Sequence, residues 1–167
     1  MLKYYKHYFK GLAISNEQIA HTDEEEAYFF VRDKYNPDAF DQAIRNSAKT
    51  PAMLLEPYST KLSDGNSRNN FKFLQGRFNI LEKVDNGDEQ SIEDAQEHCE
   101  SIAEDLLLSM LEDLGEGMII TVAPGDASKR VWFKNEDITI DQIGPICLEY
   151  YGVSVGFSLK TPAKSRS

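Results

Sequence analysis

The chain is poor in the residues that usually announce chemistry, with two cysteines, three histidines and a single tryptophan in 167 residues. Cys99 and Cys147 form no C-x-x-C pair. Two such thiols read as small buried side chains held in a reducing compartment. His98 and Cys99 are neighbours, so on a helix they point about 100° apart and cannot both reach one ion. His7 and His21 lack ligand-type neighbours. No metal and no cofactor is expected.

The usual catalytic signatures are missing as well. There is no G-x-S-x-G, no P-loop and no G-x-G-x-x-G after a strand, so the standard nucleophile elbow and phosphate cradles are excluded. Gly115-Glu116-Gly117 follows a helical pattern instead of opening one, which makes it a cap and turn. The longest apolar runs, such as Leu106-Leu107-Leu108, fall far short of the ~20 residues that span a bilayer. The opening Met-Leu-Lys-Tyr-Tyr-Lys-His-Tyr is too polar for the apolar stretch of a signal peptide. A cytoplasmic protein with no membrane partner is the expectation.

Bases are scarce in one place above all. Between Glu82 and Glu116, 13 acidic residues face one base, Lys83, giving that segment −12 against −10 for the whole chain and leaving +2 elsewhere. Duplex binding needs clustered Lys and Arg on the phosphates. Sequence-specific recognition of nucleic acid is therefore not expected.

What the chain does have is a long amphipathic pattern. Ile92, Ala95, Cys99, Ile102, Ala103, Leu106 and Met110 repeat at spacings of three and four, which places them on one face of a helix from Asp88 to Leu114. Asp85-Asn86-Gly87-Asp88 is a turn cluster, with Asp88 or Ser91 as cap. Gly115 stands where a left-handed C-terminal cap belongs. Glu89, Glu93, Glu97, Glu100 and Glu104 form an acidic face on the same helix. Catalytic carboxylates need an apolar pocket or a partner that separates their pKa values, and a solvated stripe offers neither. In the second half Leu107, Leu108 and Leu111 turn toward that acidic side. Such residues need cover on more than one side, either from the N-terminal helices or from a second subunit.

Around this helix the other elements are short. Tyr4, Tyr5, Tyr8, Phe9 and Leu12 predict an N-terminal helix, with Ile19 beyond a break at Ser15-Asn16, and His21 to Glu26 a solvated loop. Residues 27–31 predict a buried strand. Asn36-Pro37-Asp38 opens a second helix through Phe40, Ala43, Ile44 and Ala48, stopped by Pro51. Ala52 to Glu56 reads as a strand, with Pro57 marking its end or an edge position, and Ser63 to Asn70 as a loop. Phe71 to Val84 is a long strand whose apolar residues change parity, which a bulge or bend at Gln75-Gly76 would reconcile. Met118 to Val122 is a strand, Ala123 to Asp126 a turn, and Arg130 to Lys134 another short strand. Ile138 and Ile140 alternate with polar neighbours. At the end, Ile146, Leu148 and Tyr150 and then Val153 to Leu159 alternate about a turn at Tyr151-Gly152, a half-buried hairpin.

With 41% apolar and 28% charged residues, this is an ordinary globular composition. The length suits one domain over 1–160, followed by a flexible basic tail over 161–167. The order of elements implies α+β architecture: an antiparallel sheet packed against one long amphipathic helix, with short N-terminal helices.

Several stretches resemble a group of phage- and prophage-encoded structural proteins of bacterial genomes, particularly those of Bacteroidetes. They are Gly144-Pro145-Ile146, Tyr151-Gly152-Val153 and Val155-Gly156-Phe157-Ser158-Leu159, together with Tyr8-Phe9, Leu12-Ala13, Ile19-Ala20-His21-Thr22-Asp23, Tyr28-Phe29-Phe30 and Pro51-Ala52-Met53-Leu54-Leu55-Glu56. The resemblance implies a non-enzymatic component of the tail-completion, tail-terminator or head–tail junction type. It would assemble as a homo-oligomeric ring with other tail or neck proteins, made in the host cytoplasm and then built into a virion or tail-like particle. No catalytic residues come with it. The sheet edges and the Leu107, Leu108, Leu111 end of the helix would then be subunit interface, and an acidic channel lining would repel DNA and let it slide. The alternative is a small cytosolic adaptor whose acidic face engages a basic partner.

Overall fold

The computed structural model describes residues 1–47, 49–63, 71–85, 87–120 and 129–163. Among these described residues the architecture is α+β: three helices and a mostly antiparallel sheet of six strands, with the longest helix packed across one face. The helices are α1 (Leu2–Ser15), α2 (Pro37–Arg45) and α3 (Glu89–Leu114). The strands are β1 (Tyr28–Phe30), β2 (Ala52–Leu62), β3 (Phe71–Lys83), β4 (Met118–Ile120), β5 (Lys129–Ile146) and β6 (Tyr150–Pro162). They lie in the order β1-β2-β3-β6-β5-β4. β1 joins β2 in parallel, and the remaining neighbours pair antiparallel.

α3 starts where its cap signal stands. The Asp88 carboxylate accepts from the Ser91 amide at 2.8 Å and from the Ser91 hydroxyl at 3.1 Å, satisfying donors that the first turn leaves free. Ala95, Cys99, Ile102, Ala103, Leu106, Met110 and Leu114 are buried, while Ile92 stays half-buried at the end of the stripe. They lie on the sheet face formed by Met53 and Leu55 of β2, Leu74, Phe78 and Ile80 of β3, and Val153, Val155, Phe157 and Leu159 of β6. Each large apolar side chain so buried contributes about 1.5–3 kcal/mol.

α1 packs on the same face. Phe9 is wholly buried, with ring centroids 5.1 Å from Tyr5, 5.9 Å from Phe78 and 5.0 Å from Phe157. The helix stops at Ser15 because the Asn16 side chain takes the amides of Gln18 and Ile19, both at 3.0 Å, and that turn drops Ile19 into the core. α2 lies against β2 on the opposite face, capped by Asn36 accepting from the Asp38 amide at 3.0 Å.

Several local expectations change. Gly115 is right-handed (φ −59°, ψ −42°) and its amide closes onto the Leu111 carbonyl; the left-handed step falls at Gly117 (φ 87°). A Cβ on Gly117 would run into the Trp132 indole and Arg130. α2 ends at Arg45, well short of Pro51. Of the two readings of Pro57, the edge position is the one found: β2 runs on to Leu62, β1 pairs only as far as Leu55, and the proline needs no ladder partner on that side. The extra residue sits in β2 between Glu56 and Ser59, while β3 runs against β6 without a register shift. The two parities of β3 are therefore two faces of one strand, and no bulge falls at Gln75-Gly76. The separate pieces expected after Lys129 form one bent strand, β5, irregular between Lys134 and Thr139 and between Ile143 and Ile146.

The hairpin turn is Cys147–Glu149, with Cys147 (φ 51°) and Leu148 (φ 69°) left-handed. Gly152 lies within β6, which is central to the sheet and buried on both faces from Gly152 to Phe157. β6 continues through the buried Thr161 and pairs Pro162 with Phe71, so the ordered chain reaches past residue 160. Ala48, the Asp64–Asn70 loop, Asn86, the 121–128 stretch with its expected turn, and the last tail residues lie outside the described residues.

The cysteines differ sharply. Cys99 is fully buried under the sheet, and burial pushes its thiol up to about 12. Cys147 is half-exposed in the β5–β6 turn, where Arg45 Nε donates to its sulfur at 2.9 Å. Native protein is expected to consume one equivalent of a maleimide quickly and the second only after unfolding. Two equal native labelling rates would contradict this packing.

Candidate interaction faces

α3 turns one long side away from the sheet. Glu89, Glu93, Glu97 and Glu104 are exposed and Glu100 half-exposed along that face. At 100° per residue, Leu108 and Leu111 continue the same line into the last turns. Leu108 is 60% exposed and Leu111 40%, whereas Leu107 leans inward and packs against the core.

α1 does not cover these leucines. It runs along the other flank of α3, where the Tyr8 hydroxyl donates to Asp113 at 2.9 Å, and Leu12 and Ser15 share a crevice with Asp105, Leu106 and Ser109. His98 holds the same flank, with Nδ1 2.8 Å from Glu82 and Nε2 3.2 Å from the Gln18 side chain. His98 and Cys99 thus diverge.

A second face lies on the opposite side of the sheet, at the end where β2 finishes and β3 begins. Phe71 and Phe73 of β3, Lys61 of β2, Lys160 of β6 and Arg130, Trp132 and Lys134 of β5 share this side by register. Phe71 and Trp132 meet edge-on at 6.1 Å. Lys160 Nζ stands 4.0 Å over the Phe71 ring, Lys134 Nζ 5.1 Å over Phe73, and the Arg130 guanidinium 5.5 Å over Trp132. These are cation–π contacts, each worth about 0.5–1 kcal/mol where exposed. Acids here are few: Glu136 pairs with Lys134 at 3.3 Å. Further along, Arg77 is matched by Glu56 and Asp141 at 3.8 and 3.9 Å.

The alternation that builds this face was available in the sequence. Val131 and Phe133 are buried, while Arg130, Trp132 and Lys134 point the other way. Their meeting with Lys61, Phe71 and Lys160 was not, because it depends on three strand pairings across the chain.

A groove of about 590 Å³ separates α2 from the β5–β6 turn, lined among others by Tyr35, Phe40, Glu56, Asn79, Ile146 and Leu148. Burial raises the Glu56 carboxyl, and Arg77 partly opposes that shift. His21 is a packing residue. It is 4% exposed, and its Nδ1 accepts the Ala27 amide at 3.1 Å, which leaves the proton on Nε2 and the ring neutral.

Burial, with Lys10 and Lys49 nearby, lowers the His21 pKa against a smaller pull from Asp23 and Glu26. The unfolded chain therefore takes up a proton that the folded one excludes, and stability present above the unfolded pKa is lost on acidification. The denaturation midpoint of the wild type is expected to fall between about pH 7.5 and pH 5.5, bracketing the unfolded value near 6.5. His21→Asn, which keeps an acceptor for the Ala27 amide, is expected to fall less. Equal slopes for the two proteins would show that His21 is not the titrating group.

No protein-family model matches the chain, and a search of curated proteins found no match either. No helix among the described residues is long and apolar enough to cross a membrane.

Proposed function

We propose that this protein is a non-enzymatic structural component of a phage or prophage tail, of the tail-completion or head–tail junction type, working as a ring of identical copies. The observation that carries the reading is the uncovered end of α3. Leu108 and Leu111 stand exposed on a well-formed helix, and α1 occupies its other flank. The two leucines are neighbours one turn apart and make a small apolar patch that a second subunit would cover. The resemblance of the Gly144–Leu159 and Pro51–Glu56 stretches to phage structural proteins supplies the setting. The partners are then further copies of the chain and neighbouring tail or neck proteins. It would stay in the host cytoplasm until built into a virion or tail-like particle.

Mass spectrometry of particles purified from the bacterium that carries the gene tests the proposal. The protein should appear among the particle proteins, far less abundant than the tube subunit, as one ring per tail requires. Its absence from intact particles would sink the reading.

The exposed Glu89, Glu93, Glu97 and Glu104 also suit an adaptor that engages a basic partner. A specific capture that collapses steeply with salt, together with absence from particles, would favour that alternative.

A further inference from the structure

The two faces described above are complementary to one another. One is a helix surface of glutamates running into two exposed leucines. The other is a sheet surface of aromatic rings set among lysines and an arginine. They lie on opposite sides of the sheet, so a single copy cannot bring them together. We propose that successive copies dock head to tail, the exposed α3 face of one seated on the Lys61, Phe71, Trp132 and Lys160 end of the sheet of the next. This rests on the ring reading and names its contact.

Charge decides between the possible occupants of each face. Two α3 faces set against each other would bring two glutamate stripes together, and like charges in a contact cost several kcal/mol. A two-fold α3–α3 contact is thereby disfavoured. A contact between two different faces is heterologous, the kind that builds a ring where its rotation closes and a filament where it does not. On the sheet side, a stack of nucleic-acid bases would need free ring faces. Those of Phe71, Phe73 and Trp132 already carry Lys160, Lys134 and Arg130, and a chain of net charge −10 repels a polyanion. A second copy offers the acids for these bases and, in Leu108 and Leu111, apolar side chains that can meet the ring edges, where no stacking on a ring face is needed. The acidic face becomes subunit contact instead of channel wall.

The test is a pair of charge reversals in the full chain. One variant carries Glu93→Lys, Glu97→Lys and Glu104→Lys. The other carries Lys61→Glu and Lys160→Glu. Light scattering at low salt should find the wild type assembled. Each variant alone should need about a hundredfold higher concentration to associate. An equimolar mixture should assemble again, because each variant then presents the other with a face of opposite sign. Circular dichroism and melting temperature establish that both variants are folded, and the milder Glu→Gln and Lys→Gln sets should weaken assembly in the same order.

A wild type monomeric at low salt, single variants that assemble like the wild type, or folded variants whose mixture stays apart would each overturn the proposal. Oligothymidylate binding by the wild type that Lys61→Glu/Lys160→Glu abolishes would overturn it in favour of a nucleic-acid platform. Absence of the protein from tail particles would remove the tail reading and leave the measured contact standing. Failure of the reversals in a protein found in particles would remove the contact alone.

Discussion

Gly152→Ala is expected to destabilise the protein by about 3 kcal/mol, at the upper end of overpacking costs, and to lower its melting temperature by roughly 6–12 °C. Gly152 sits opposite Leu81 on β3 and Ile143 on β5. A Cβ there would fall onto the Ile80 carbonyl oxygen and press on the Leu81 backbone. Backbone atoms of a paired strand cannot rotate away as a flexible side chain can, so the β3–β6 ladder itself must part. Gly11 is the control. It lies within α1 with nothing near the place a Cβ would occupy, and Gly11→Ala is expected to stabilise by about 0.5–1 kcal/mol through helix propensity. Thermal denaturation of the two variants should give shifts of opposite sign. Shifts of the same sign would show that Gly152 is not closely packed.

Phe9→Ala should cost about 3–5 kcal/mol, the usual range for emptying a buried aromatic site. The ring is wholly buried and touches Tyr5, Tyr8, Phe78 and Phe157. It thereby joins α1 to the two central strands. Its neighbours come from a helix and from paired strands, so they cannot collapse into the gap together. Denaturant unfolding with an unchanged m-value would place the loss in the native core. A loss below about 1 kcal/mol would mean that α1 is not docked on the sheet through this residue.

The contrast between these two sites shows what the sequence could and could not reveal. Phe9 was legible, because Tyr5, Phe9 and Leu12 recur at helical spacing and fall on the buried face. α3 was legible from its cap to its stripe for the same reason. Gly152 reads as a turn from its sequence but lies inside β6. Glycine is favoured both by turns and by close backbone approach, and only the register with Ile80 and Leu81 separates the two. The true turn was hidden because Cys147 and Leu148 take positive φ values without the glycine or asparagine that usually marks them. The irregularities of β5 between Lys134 and Thr139 and between Ile143 and Ile146 break the alternation that identifies a strand, so its sequence divides into fragments.

The interaction faces divide in the same way. Glu93, Glu97, Glu104, Leu108 and Leu111 fall on one exposed line by helical arithmetic alone. The choice between the N-terminal helices and a second subunit as cover needed the position of α1, which lies on the Tyr8–Asp113 flank. The basic aromatic face brings together Lys61, Phe71, Trp132 and Lys160, residues from four strands, and no local pattern announces such a face.

Whether another copy covers α3 decides between a ring and a lone chain. Sedimentation velocity at low salt over a wide concentration range measures this directly. The expected result is one discrete assembly, a fixed multiple of the 19.0 kDa chain, that dissociates as salt rises and is lost in Leu108→Asp/Leu111→Asp without a drop in melting temperature. A single 19.0 kDa species at every concentration would contradict it.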